Sequence, residues 1–360
     1  MKEAVFLQEV KEIQLLKNAL TLLDWDSSTG MPEKSSPFRG EVEGYLTGLY
    51  FERSIGPVIQ EALAYFETRP EELSELGKLV FEKVKEEYAL NKNVPAERMQ
   101  EYVKVLNQAH TDWLKARAAQ DFGLLEETLT KVVAFQKEFI PYWQKEEKTP
   151  YDVLLNQFEP GMTVEKLDQV FDQVKQGIQE IRTVLEEKGT PPRTDFLSRR
   201  MTKEQQRRFV IGVVEQLGYD FSKGRLDDTV HPFMTALNRN DARITTRWEE
   251  NNFSMATFGV IHEAGHGMYE QNFDPKFDFT PLSEGASMGI HESQSLFNEI
   301  IIGSNRAFWQ KQYPFFQECA EGTFDDIAFE DFYASLKETK ASLIRIDSDS
   351  LTYPLDRKST

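Results

Sequence analysis

The residues of this chain best placed to do chemistry lie in "FGVIHEAGHGMYEQ", running from Phe258 to Gln271. His262 and His266 stand four apart, so on a helix both imidazoles project from one face and can offer nitrogens to one ion. Glu263 is turned by about 100° from His262 on the same helix. That places it beside the ion, where it can hold a water without ligating. This HExxH spacing is that of a zinc-peptidase helix, in which the metal keeps an open position for water and lowers its pKa toward about 7. Four of the five histidines, His231, His262, His266 and His291, cluster in this part of the chain.

Glycines at 265 and 267 interrupt that helix, and each costs a helix interior about 1 kcal/mol relative to alanine. Projected at about 100° per residue, Met255, Phe258, Gly259, His262, Gly265, His266 and Tyr269 share one face. Gly259 and Gly265 thus flank the histidines and leave room for a neighbouring helix. Gly267 falls on the Glu263 side, and the sequence supplies no reason for it. A third ligand must come from elsewhere, because Glu270 lies about 12 Å along the axis from His262. Glu284, Glu292 and Glu299 in "PLSEGASMGIHESQSLFNEIIIGSN" are the next carboxylates. Residues 284–302 are expected to form a helix with Met288, Leu296 and Ile300 toward the core. Spacing does not separate Glu292 from Glu299.

The elements that must hold these groups are mostly helical. Over 163–188, Leu167, Val170, Phe171, Val174, Ile178 and Ile181 recur at three and four, with Thr163 as the N-cap. Thr202 and Gln205 form a capping box, and Gly218 ends that helix. Amphipathic segments also run through 4–23, 39–66, 71–90, 95–118 and 124–146. "TVHPFMTALNRNDARITTRW", residues 229–248, is different: rich in Thr, Val and Ile around an "NRND" turn, it predicts a small β-hairpin just before the HExxH helix. The breaks are short, so the expected organisation over 1–360 is a single mainly α domain with a small sheet beside the active-site helix.

Composition narrows the partners. With 360 residues, 40% hydrophobic and 28% charged, the chain has the make-up of a globular protein. Its net charge of -18 opposes nucleic acid and anionic membranes, so neither is an expected partner. An anionic substrate would need a local arginine. Cys319 is the single cysteine, which rules out an intrachain disulfide and a thiolate zinc site and fits a reducing, cytoplasmic setting. No stretch reaches the length of a membrane span.

Beyond HExxH, the chain contains "HPF" at 231–233, "DARIT" at 241–245, "HESQ" at 291–294 and "IRIDSD" at 344–349, with "WDSSTGMP" near the start and "EPGMT" in the middle. In order and spacing these motifs resemble the thermostable, Taq-type zinc carboxypeptidases over essentially the whole chain. The resemblance implies a mostly helical fold with a deep groove, a small sheet beside it and homodimeric assembly. It makes Glu292 of HESQ the third zinc ligand with His262 and His266, and Glu263 the general base for a metal-activated water. The expected ion is zinc, with cobalt among the divalent ions able to replace it. The substrates would be peptides with free C-termini, trimmed one residue at a time with broad specificity.

A C-terminal carboxylate calls for the planar fork of arginine, which makes Arg243 and Arg345 candidate binders, with a structural ion pair as the alternative for each. His231 would bond substrate or organise the hairpin, and His291 would support the site without ligating. The family's "IRxxAD" stands here as "IRIDSD". Its further motif "GxxQDxHW" is absent, since the sequence stops at "LTYPLDRKST". A chain lacking the C-terminal part of the family fold is therefore expected. Two other readings stay open: another HExxH zinc peptidase, and a catalytically impaired homologue serving as a helical scaffold.

Overall fold

The structure, a computed structural model, describes residues 1–339 and Leu351. Its helices are α1 (Glu3–Thr29), α2 (Ser36–Ser54), α3 (Pro57–Phe66), α4 (Glu75–Asn91), α5 (Ala96–Ala119), α6 (Gly123–Trp143), α7 (Pro150–Phe158), α8 (Val164–Lys188) and α9 (Lys203–Leu217). Three strands follow, β1 (Leu226–Asp228), β2 (Met234–Asn238) and β3 (Asp241–Thr246), then α10 (Phe253–Gln271), α11 (Met288–Leu296), α12 (Arg306–Cys319) and α13 (Phe329–Ser335). Among the described residues, no helix is long and apolar enough to cross a membrane.

Local chemistry accounts for most boundaries. Thr163 caps α8 by accepting from the Lys166 amide at 3.2 Å. The Thr202–Gln205 capping box forms in full, and Gly218 ends α9 in the left-handed region at φ 114. The segment 39–66, expected as one helix, is two. Pro57 has no amide to donate and pushes the preceding residue out of helical geometry, so Gly56 is extended and α3 starts afresh. The helix expected over 284–302 begins only at Met288, where the Ser287 hydroxyl accepts from the Ile290 amide at 3.2 Å. Its last part, Phe297–Ile302, winds as a π-helix.

The expected hairpin is present as β2 and β3, joined by a turn at Arg239 and Asn240. The short β1 completes a sheet in the order β1-β3-β2 and runs parallel to β3, with Leu226 opposite Ile244 and Asp228 opposite Thr246. Three residues are too few to show an alternating pattern, so β1 leaves little trace in the sequence.

The chain divides into two compact units. The first comprises Met1–Leu154, Thr235–Arg239 and Asn272–Ala286. It holds one apolar cluster around Phe6, Ile59, Phe66 and Phe81 and another around Phe51, Phe135, Phe139 and Trp143. The second comprises Leu155–Met234, Asn240–Gln271 and the described residues from Ser287 onward. Its core is aromatic: Phe209, Phe253, Trp309, Phe316, Phe324 and Phe332 are all fully buried. Phe316 alone lies against Phe253, Phe324 and Phe332, with ring centroids 4.8, 5.1 and 5.0 Å away.

Candidate metal centre

Helix α10 belongs wholly to the second unit, and its two faces do different work. Phe253, Val260, Ile261 and Ala264 sink into the aromatic core with essentially no exposure. Burying each large side chain among them is worth about 1.5–3 kcal/mol. Together they outweigh the helix cost of the glycines, about 1 kcal/mol apiece. The histidines project from the other face.

The glycines prove to be packing positions. A Cβ on Gly265 would stand 2.7 Å from both the Gln294 carbonyl oxygen and the Ser295 Cα, so α11 crosses α10 there in near backbone contact. Gly267 lies against the Tyr219 ring, where a Cβ would come within 2.7 Å. That ring is held in turn by its hydroxyl, which donates to the Ala242 carbonyl in β3 at 2.6 Å. Gly259 differs: no heavy atom of the described residues would lie within 4 Å of its Cβ. Among the described residues, the expected close approach of a helix holds at Gly265 and not at Gly259.

The start of α11 is fixed by Glu159 of the "EPGMT" stretch. Its carboxylate accepts from the Ser287 hydroxyl at 3.1 Å and from the Gly289 amide at 2.8 Å. The first turn of α11 then presents His291 and Glu292 toward α10.

Among the described residues, His262, His266 and Glu292 form a group able to hold a metal ion, with one donor atom from each lying within 4.8 Å of the others. Glu292 Oε2 is 3.8 Å from His262 Nε2 and 3.5 Å from His266 Nε2. These separations are too long for hydrogen bonds. They approach the spacing of about 3.3 Å that donors about 2.0 Å from a tetrahedral ion would show. Two imidazoles and one carboxylate are also the donor set of a catalytic zinc site.

The remaining ring nitrogens explain why both Nε2 atoms face inward. His262 Nδ1 pairs with Glu299 Oε2 at 2.8 Å. His266 Nδ1 meets His291 Nδ1 at 2.6 Å, and His291 Nε2 meets Glu270 Oε1 at 2.8 Å. Glu299 thus lies on the opposite edge of His262 from Glu292. Glu284, the other sequence candidate, pairs with Lys17 at 2.6 Å within the first unit.

Electrostatics follow this layout. Burial disfavours a charged His262, but Glu299, Glu263 and Glu292 outweigh it and raise the imidazole above its ordinary value. For His266 burial prevails over the pull of Glu292, and His262 and His291 add to the lowering. Glu263 is 7% exposed. Burial pushes its carboxyl up to about 7 against the pull of His262, with Glu292 and Glu299 adding to the rise.

The other sequence candidates fall elsewhere. His231 is exposed in the loop between β1 and β2. The "HPF" and "DARIT" stretches meet where the Phe233 amide donates to the Thr245 hydroxyl at 2.8 Å. That hydroxyl donates back to the Phe233 carbonyl at 2.9 Å. Arg243 directs Nε and one terminal nitrogen at Asp241, both at 2.8 Å, in a two-pronged pair within β3. Arg345 and the rest of "IRIDSD" lie outside the described residues. Sequence reasoning assigns nothing to Glu270, whose carboxylate meets His291; its place one turn beyond His266 on the same helix is the signal for it.

Two helices meeting at a His, His, Glu group, with the buried carboxyl of Glu263 beside it, make an arrangement suited to a hydrolytic metal site. The sequence matches the family described as "Carboxypeptidase Taq (M32) metallopeptidase" over residues 5–356 and belongs to it. It is 43% identical over 353 residues to Carboxypeptidase 1 of Bacillus subtilis (strain 168), covering 98% of this chain and 70% of that one. Thermostable carboxypeptidase 1 of Thermus thermophilus is 32% identical over 356 residues, covering 96% of this chain and 69% of its own. The solved structure "BsuCP Crystal Structure" superposes with a TM-score of 0.95 at 43% identity, covering 98% of this chain and 71% of that one.

Proposed function

We propose that this metallocarboxypeptidase-family chain is a zinc-dependent enzyme that removes single residues from peptide C-termini with broad specificity. The observation that carries this is the inward orientation of His262 Nε2, His266 Nε2 and the Glu292 carboxylate, each histidine held by a partner on its outer edge. These three residues would hold the ion, with cobalt able to take its place. When bound, the ion would supply Lewis acidity toward the scissile carbonyl and acidify an attacking water.

The chain's own groups account for the proton movements. Glu263 is next to a ligand in sequence but turned from the ligand face, and it is buried. Its carboxylate takes a proton from the attacking water and delivers it to the leaving amine as the C–N bond breaks. A peptide's terminal carboxylate would be received by arginine, with Arg345 the stronger candidate because Asp241 already engages the Arg243 fork. His231 is assigned to substrate contact or to ordering its loop. A cytoplasmic setting and homodimeric assembly complete this reading, on the strength of the lone buried Cys319 and the family resemblance.

The test is Glu263→Gln in the full 360-residue chain. Zinc content should match the parent protein while trimming of a free-C-terminal peptide ladder disappears. Undiminished trimming would remove Glu263 from its role, and equal cleavage of amidated peptides would argue for an endopeptidase.

A further inference from the structure

Glu270 lies one turn beyond His266 on α10, is only 6% exposed, and its carboxylate meets the His291 ring. We propose that Glu270 and His291 act together as positioning residues that lock the proton of His266 onto Nδ1, leaving the Nε2 lone pair to a divalent cation. The inference rests on the reading that His266 is a metal ligand.

The order of protons follows from which groups can donate. A carboxylate only accepts, so the 2.8 Å contact between Glu270 Oε1 and His291 Nε2 requires the proton on His291 Nε2. A neutral imidazole has one donor and one acceptor, so His291 Nδ1 is then the acceptor. The 2.6 Å contact between the two Nδ1 atoms needs one proton, and with His291 neutral it comes from His266 Nδ1. His266 Nε2 is left with a lone pair, on the edge that lies 3.5 Å from Glu292.

The reverse order fails at its far end. With the shared proton on Nδ1 of a neutral His291, its bare Nε2 would face the Glu270 carboxylate, lone pair against lone pair in a buried setting. His266 would then carry its proton on Nε2 and could not ligate. Glu270 therefore sets the direction of the whole relay, although no cation would touch it. Tyr269, whose ring stands at 78° to His291 with centroids 5.4 Å apart, packs beside the relay. The other ligand is treated differently: His262 meets its carboxylate, Glu299, directly.

The test uses the full chain with 15N-labelled histidine, tractable because there are five. After metal removal, at about pH 8 where imidazoles are ordinarily neutral, long-range 1H–15N correlations assign each ring's tautomer. The expected result is Nδ1–H for His266 and Nε2–H for His291. Zinc affinity is then measured by competition with a chromophoric chelator. Glu270→Gln, whose amide can donate as well as accept, should mix the tautomers and weaken zinc binding roughly tenfold to hundredfold.

His291→Asn, which keeps an oxygen where Nδ1 sits, should bind zinc more tightly than His291→Leu. A merely space-filling role would not separate these two. An Nε2–H tautomer for His266 would overturn the proposal. So would Glu270→Gln with parental zinc affinity and unchanged ring signals. If Glu270→Gln fails to fold by circular dichroism, the parent tautomers and the His291 pair still decide. Failure of the parent chain to bind zinc would sink the ligand reading instead, and the tautomer result distinguishes the two failures.

Discussion

Gly265 of α10 and Ser295 of α11 meet with no side chain between them, since a methyl group on Gly265 would stand 2.7 Å from the Ser295 Cα. Both contacting atoms are backbone, so neither can swing aside. Gly265→Ala should therefore lose about 1–3 kcal/mol to overpacking, more than the helix-propensity gain of about 1 kcal/mol. Because α11 carries Glu292, zinc affinity should fall with it. Gly259→Ala is the contrast: with no described neighbour within 4 Å, it should raise stability by up to about 1 kcal/mol. Urea denaturation of both variants checks the pair.

Glu292 and Glu299 approach opposite edges of one ring, His262. Removing a donor should cost more than removing the group that orients one. Glu292→Ala is expected to lose far more zinc affinity than Glu299→Ala, which should weaken binding by about ten- to a hundredfold. The reverse order in a metal titration would give Glu299 the ligand's place.

Glu159 holds the first turn of α11 through Ser287 and Gly289. Glu159→Ala should cost about 1–2 kcal/mol, the range of a lost helix cap. It should also weaken zinc binding, though less than Glu292→Ala, since it displaces a ligand without deleting one. Equal zinc affinity in this variant would show that α11 is fixed by its crossing with α10 alone.

In the first unit, Glu43 accepts from Ser27 at 3.3 Å and from Asn107 at 2.9 Å. Burial raises its carboxyl above the ordinary value, with Asp24 adding and Ser27, Arg39 and Asn107 opposing. A raised folded-state value means tighter proton binding in the native protein. The resulting stability is present below the unfolded value and is lost as pH rises through the folded one. As pH rises above the ordinary glutamate value of about 4.3 and through the raised folded value, parental stability should therefore fall relative to Glu43→Gln, which has no proton to lose. A gap between the two urea midpoints that stays constant with pH would contradict this.

How much the sequence discloses differs from element to element. The HExxH face, the cap at Thr163 and the capping box at Thr202 are legible because each depends on fixed local spacing. The choice between Glu292 and Glu299 is not, because residues seven apart share a face on an α-helix. The structure divides them by ring edge. Gly267 was opaque for another reason: its partner, Tyr219, lies far off in the sequence and is brought there by the fold. The same holds for Glu159, where nothing in "EPGMT" announces a cap for a helix so distant in sequence. The pairing of Arg243 is equally hidden, since an arginine's identity does not disclose that an aspartate two residues away engages its fork.

The π-helical winding of Phe297–Ile302 begins just after α11 ends, and it contains Glu299 but not Glu292. Its turns are wider than those of an α-helix and hold an extra residue. Deleting one residue there should tighten the coil and swing Glu299 off His262, while Glu292 upstream keeps its place. The extra residue in this coil thus sets where Glu299 falls around the helix axis relative to Glu292, and so which edge of His262 it meets.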